Sequence, residues 1–248
     1  MMKKLSMGFL LLVLPQFALA AGSAEFLVKT PHIHETDLAA IQRGARVFVN
    51  YCLSCHSAEY MRYKRISDDL GISEEIMKKN LMFNTDKIHE GMTASINKDD
   101  AERWFGVTPP DLSVTSRSRG REWLYNYLMT FYRDDSRAIG VNNATFKGAA
   151  MPHVLSELQG WQEPVFETRK TLDGKDEQVI VGLKLVEPGK LTEKQYGQTV
   201  RDLVTFMVYM GEPAELKRHE IGFWVLAFLF VLLMLSYALK REYWKDIH

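Results

Sequence analysis

The sequence predicts a mainly α chain. It comprises one exported domain of roughly 200 residues, a small β-hairpin inserted in it, and one transmembrane helix near the C-terminus. Three observations predict this. Two stretches with helical apolar spacing, one early and one late, bracket the domain. An uncharged run of nineteen residues, Ile221 to Leu239, follows the second stretch closely. A tract over residues 163–185 switches from helical to alternating, β-branched character.

Taken in order, residues 1–20 form a secretory signal peptide. Lys3 and Lys4 precede the apolar run Leu5 to Leu14, and Ala18-Leu19-Ala20 supplies a small-residue cleavage site. The domain then covers 21–217 and faces the periplasm. Leu38, Ile41, Ala45, Phe48 and Cys52 fall on one face of a helix, with Thr36 or Asp37 offering the N-cap oxygen. Ser73-Glu74-Glu75 starts a short helix with acids at its positive end. Arg121 to Arg133 is predicted as another, turning Trp123, Leu124, Tyr127, Leu128 and Phe131 inward. Val165-Phe166-Glu167-Thr168 and Val179-Ile180-Val181-Gly182-Leu183 flank the turn Leu172-Asp173-Gly174-Lys175, giving the hairpin.

The last soluble helix runs from Thr192 to Met210. Thr192 and Gln195 make a capping-box pair, Tyr196, Val200, Leu203, Met207 and Met210 make its apolar face, and Gly211 with Pro213 stops it. The anchor helix, 218–240, holds a charge-free core about 28 Å long, matched to a bilayer's hydrocarbon thickness. Trp224, Tyr237, Tyr243 and Trp244 sit where interfacial aromatics belong. Export of the N-terminus leaves only 241–248 in the cytoplasm. Internal repeats and low-complexity tracts are absent from the sequence.

Lysine and arginine total 31, as do aspartate and glutamate, so charge gives no argument for nucleic acid as a partner. The chain has two cysteines, both in Cys52-Leu53-Ser54-Cys55-His56. That order suits one covalently attached haem c: two thiols add across the porphyrin vinyl groups and the adjacent imidazole reaches the iron. A thioredoxin-like pair normally follows a strand, whereas these residues end a predicted helix. A zinc site needs two further ligands, and the nearest histidines, His32 and His34, precede the motif in an irregular stretch. Thioether attachment takes place outside the cytoplasm, in agreement with the export signal.

A low-spin haem needs a second axial ligand, and the soft thioether of methionine favours ferrous iron. Met151 is the first candidate, because Lys147-Gly148-Ala149-Ala150-Met151-Pro152-His153 is a small-residue loop that can approach a flat cofactor closely. Met92, in Glu90-Gly91-Met92, is the second. Met77, Met129, Met207 and Met210 lie on predicted helices, where core filling is the default. His153, two residues beyond Met151, is an alternative ligand, with an ordinary surface imidazole as the expected reading. Pro109-Pro110-Asp111-Leu112-Ser113 is a rigid turn ending in an acid and a hydroxyl. Arg117, Arg119 and Arg121 follow it, each able to hold a haem propionate or to sit on a solvated face.

A helix ending in Cys-X-X-Cys-His and an amphipathic C-terminal helix are the two elements that cross in cytochrome c-like haem domains. The motif, Pro109-Pro110-Asp111-Leu112-Ser113, Ala149-Ala150-Met151-Pro152 and Gly211-Glu212-Pro213 before one span occur here in the order of a known family. The chain resembles the bacterial cytochrome c1 family, the c-type subunit of the cytochrome bc1 complex. The resemblance implies Cys52 and Cys55 as haem attachments, His56 and Met151 as iron ligands, Pro109 and Pro110 as haem-pocket wall, and Arg119 as the propionate partner. It implies cytochrome b and membrane lipid as neighbours, a Rieske iron–sulfur protein as electron donor, a cytochrome c as acceptor, and a dimeric multi-subunit complex in the bacterial inner membrane. It also implies an electron carrier within a proton-translocating quinol–cytochrome c reductase rather than an enzyme in isolation. Unlike some relatives, the chain has no extra cysteine pair before the methionine loop.

Three other functions fit parts of the sequence: another anchored monohaem cytochrome, a periplasmic thiol–disulfide oxidoreductase using Cys52 and Cys55, and a haem-based gas sensor.

Overall fold

Two helices cross at a glycine, and that crossing organises the domain. In the computed structural model, which describes residues 31–170 and 174–246, α1 (Leu38–Tyr51) lies against α8 (Glu193–Gly211). A Cβ placed on Gly44 would lie 2.0 Å from the Asp202 carbonyl oxygen and 2.8 Å from the Phe206 Cβ, so only glycine allows this approach. Below it Phe48 and Phe206 meet with ring centroids 5.4 Å apart. Beside it the Arg43 guanidinium grips Asp202 in two hydrogen bonds of 2.6 and 3.0 Å, and Gln198 donates to the same carboxylate at 2.8 Å. The buried Asp202 charge is thereby paired, as burial requires.

The N-cap of α1 is Asp37, whose Oδ1 accepts from the Ala40 amide at 3.0 Å. The expected apolar stripe is buried except at Leu38, which is 43 % exposed at the first residue of the helix. At α8 the capping box forms as expected: Thr192 N–H donates to Gln195 Oε1 at 3.0 Å and Gln195 N–H to Thr192 Oγ1 at 3.4 Å. This helix is buried over more than the predicted face. Val204, Phe206 and Tyr209 are also enclosed, because α5 (Thr115–Arg119), α6 (Arg121–Met129) and α7 (Ser156–Gln159) pack on it as well as α1.

Shorter elements fill the layer around this pair. β1 (Ala58–Arg62) pairs antiparallel with β2 (Gly91–Met92), and α2 (Tyr63–Leu70), α3 (Glu74–Asn80) and α4 (Lys98–Phe105) lie between and after them. The expected helix over 121–133 stops four residues early. Thr130 leaves the helix, and β3 (Phe131–Arg133) pairs with β4 (Val141–Asn143) in register Phe131↔Asn143. Asn143 causes the break: its Nδ2 donates to the Tyr127 carbonyl at 2.7 Å, while its Oδ1 accepts from the Thr145 and Phe146 amides at 2.9 and 3.0 Å. A side chain from β4 thus takes over a carbonyl at the end of α6.

The predicted hairpin is present and longer than expected, with β5 (Gly160–Lys170) against β6 (Asp176–Pro188). Residues 171–173, which include Leu172 and Asp173 of its expected turn, lie outside the described residues, as does the expected signal peptide. The ribbon springs from a tight base. Gly160 has φ +92°, and a Cβ there would lie 2.1 Å from the Glu187 carbonyl oxygen. After α8, Glu212 to Ala214 turn the chain into α9 (Glu215–Tyr243), a continuous helix extending the predicted anchor at both ends. Its segment Glu220–Tyr243 is long and apolar enough to cross a membrane, and none of its side chains is buried among the described residues.

Candidate haem site

The turn after α1 presents the motif. The Cys55 and His56 amides both donate to the Cys52 carbonyl, at 3.0 and 2.8 Å, curling the chain so that the sulfurs and the imidazole gather at one helix end. Cys52 and Cys55 are not joined in a disulfide. Burial, reinforced by the neighbouring Cys55, pushes the Cys52 thiol up to about 12. A redox-active Cys-X-X-Cys needs the opposite shift, toward thiolate at neutral pH.

The Pro-Pro-Asp-Leu-Ser segment serves as more than a turn. His56 Nδ1 donates to the Pro110 carbonyl at 2.8 Å, which leaves Nε2 as the ring's ligating nitrogen. Burial lowers the His56 pKa, partly opposed by the Pro110 carbonyl and the Asp111 charge, so the imidazole is held in its neutral, metal-binding form. Asp111 Oδ2 accepts from the Glu59 amide at 2.9 Å, Ser113 Oγ accepts from the Tyr60 amide at 3.1 Å, and the Leu112 amide donates to the Ser57 carbonyl at 2.7 Å. The acid and the hydroxyl therefore clamp the strand leaving His56. Sequence reasoning singled out these residues and missed this role.

All seven predicted site residues meet in one place. Cys52, Cys55, His56, Pro109, Pro110, Arg119 and Met151 line a single apolar cavity of about 370 Å³. Its remaining wall includes Leu124, Tyr127 and Leu128 from α6, Leu203 and Met207 from α8, and Phe146 and Ala149 from the methionine loop. Such a cavity suits a flat apolar macrocycle, with thiols and imidazole together at one end and a thioether on the loop. Met92 is elsewhere: it is buried in β2, away from the cavity. Met207 fills core as expected and also reaches the cavity wall.

The three arginines separate. Arg119 faces the cavity, its guanidinium 5.0 Å from the Trp123 ring centroid and 5.8 Å from that of Phe146. Arg117 and Arg121 turn instead to a polar cavity of about 330 Å³ beside the start of α9, shared with Glu35, Glu212 and Glu215. There Arg121 pairs with Glu35. His153 corrects the sequence reading: it is 6 % exposed, stacked on Phe131, and burial pushes its imidazole down to about 4.

A sequence model described as the Cytochrome C1 family matches residues 28–160 and 181–247. Cytochrome c1 of Allochromatium vinosum is 47 % identical over 247 residues, covering all of both chains. A protein of Nitrosomonas europaea named ammonia monooxygenase gamma subunit is 46 % identical over 96 % of each chain. Cytochrome c1 of Blastochloris viridis is 26 % identical over 93 % of each. The chain belongs to the cytochrome c1 family. Its function is that of the family, electron transfer as the membrane-anchored haem subunit of a cytochrome bc1 complex.

The gap between the two matched stretches, 161–180, takes in most of β5 and the start of β6. A two-stranded ribbon with exposed faces adds little stability of its own. Closing the chain by a short turn between the paired residues Glu163 and Lys184 is expected to change the melting temperature of the detergent-solubilised protein by less than about 4 °C, equivalent to about 1 kcal/mol. The haem spectrum is expected to remain unchanged. A larger loss would make the ribbon a structural part of the domain.

Proposed function

We propose that the chain carries one haem c, attached through Cys52 and Cys55, with His56 and Met151 as iron ligands, and passes single electrons from a Rieske iron–sulfur protein to a cytochrome c. Pro109 and Pro110 would wall the haem, and Arg119, which lines the same cavity, would hold a propionate. The observation that carries this reading is the convergence of all seven residues on one apolar cavity. The bound haem supplies a one-electron ferric/ferrous couple. The protein excludes water with Leu124, Leu128 and Leu203, orients the His56 ring through the Pro110 carbonyl, and offers a thioether from the Met151 loop.

In this reading residues 1–20 are removed on export, 21–217 form the periplasmic domain, 218–240 cross the inner membrane, and 241–248 remain in the cytoplasm. Cytochrome b and lipid surround α9, whose apolar side chains are not buried among the described residues, and the whole forms part of a dimeric complex.

Acid–acetone extraction tests the attachment. The pigment is expected to stay with the polypeptide, and the denatured band to stain for haem and show no free thiol. Two titratable thiols with a washed-out pigment would return the chain to thiol–disulfide chemistry. Copurification with a b-type haem and a Rieske centre separates it from other anchored monohaem cytochromes.

A further inference from the structure

The Met151 loop has no regular structure between β4 and α7, yet both of its ends are tied. At its start the Gly148 amide donates to Asn142 Oδ1 at 2.8 Å, and Arg137 donates to the Gly148 carbonyl at 3.0 Å. At its end His153 enters a slot between β3 and the base of the ribbon. Its ring stacks on Phe131 with centroids 5.0 Å apart and planes 5° apart. It meets Trp161 edge-on at 5.8 Å and 84°.

The slot is itself braced. The Arg133 guanidinium covers Trp161 at 5.0 Å and pairs with Glu187 at 2.7 Å. Gln162 Nε2 donates to the Met129 and Phe131 carbonyls, each at 3.0 Å. His153 Nε2 and Gln159 Oε1 are both buried without a hydrogen-bond partner. With Nε2 unpaired, that edge of the ring is held by shape, through the stacking and edge contacts, while Gln159 and the Gly160 backbone are polar neighbours of the imidazole. Pro152, with its fixed φ, is the only residue between that ring and Met151.

We propose that His153 is the positioning residue for the methionine side of the haem site: its ring, seated between Phe131 and Trp161, holds the Met151–Pro152 segment so that the sulfur stays on the iron. The inference rests on Met151 being the ligand. A weak thioether bond survives only when the loop that brings it is preorganised, since ordering the loop otherwise consumes the bond energy.

The test uses the detergent-solubilised complex and two readouts, the sulfur-to-iron charge-transfer band of the ferric haem and the rate at which added cyanide displaces the methionine. His153→Ala is expected to weaken the band and raise the cyanide rate about tenfold or more, equivalent to about 1.4 kcal/mol, with the haem still covalent. His153→Phe, which keeps the ring, is expected to stay within about twofold of the natural protein. Trp161→Leu, a milder opening of the slot, is expected to raise the rate about threefold and guards against an alanine variant that fails to accumulate. An unchanged band and rate in either opened variant would overturn the proposal, as would a phenylalanine variant as labile as the alanine one. If Met151→Leu has the natural protein's band and rate, the ligand assignment itself fails, a result distinct from failure at His153 alone.

Discussion

Replacing Met151 with leucine is expected to lower the haem midpoint potential by on the order of 100 mV or more, within the roughly 0.8 V range over which axial ligands act. Leucine matches methionine in bulk, so the apolar cavity keeps its shape and the loop its packing. What disappears is the soft thioether that favours ferrous iron. The vacated position is expected to admit carbon monoxide in the reduced state, while the thioether links at Cys52 and Cys55 hold the haem in place. Redox titration of membranes with a carbon monoxide difference spectrum measures both effects. Met207→Leu and Met92→Leu are the informative controls. Met207 stands in the cavity wall on a helix fixed by α1, and Met92 is buried in β2 outside the cavity. If Met207→Leu, and not Met151→Leu, moved the potential and opened the iron, the ligand would come from α8. A haem-based gas sensor would already bind carbon monoxide in the natural protein, so the same spectrum separates that function.

The parts of this molecule legible in the sequence are those whose cause is local. The haem motif occupies five consecutive residues, the Thr192–Gln195 capping box spans one turn, and the apolar run of α9 announces itself by length alone. The stripes on α1 and α8 are legible because helical periodicity is a property of the segment. Properties supplied by distant partners were not legible. His153 is flanked by a proline and a valine, which gives no hint that Phe131 and Trp161 bury it. Arg117, Arg119 and Arg121 are equivalent as composition, and only the directions set by α5 and the turn at Gly120 send Arg119 to the cavity and the others to the polar cleft. The end of α6 depends on Asn143, fourteen positions beyond Met129, and no pattern within 121–133 announces it. Asp111 and Ser113 were visible as a polar end to a proline turn, but their targets, the Glu59 and Tyr60 amides, lie 52 and 53 positions earlier in the chain.

The second large effect is expected at Gly44, a residue with no chemistry of its own. Alanine there would place a methyl carbon 2.0 Å from the Asp202 carbonyl oxygen, and valine would add bulk toward Phe206. The clash is with backbone, so no side-chain rotation relieves it and α1 must move away from α8. Overpacking costs typically 1–3 kcal/mol where side chains can adjust, so a helix displacement here should cost about 3 kcal/mol or more. The consequence reaches the haem because α1 ends at the attachment motif while α8 supplies Leu203 and Met207 to the wall of the same cavity. Separating the helices also pulls Arg43 from Asp202, leaving a buried carboxylate without its cation. Gly44→Val membranes are therefore expected to hold little haem-stained protein, and whatever accumulates should melt well below the natural chain. Gly222→Ala, where a Cβ meets nothing within 4 Å, should behave as the natural protein and controls for glycine replacement in general. Normal haem content and melting in Gly44→Val would mean that the two helices do not cross at this contact, and the placement of the attachment motif against α8 would have to be redrawn.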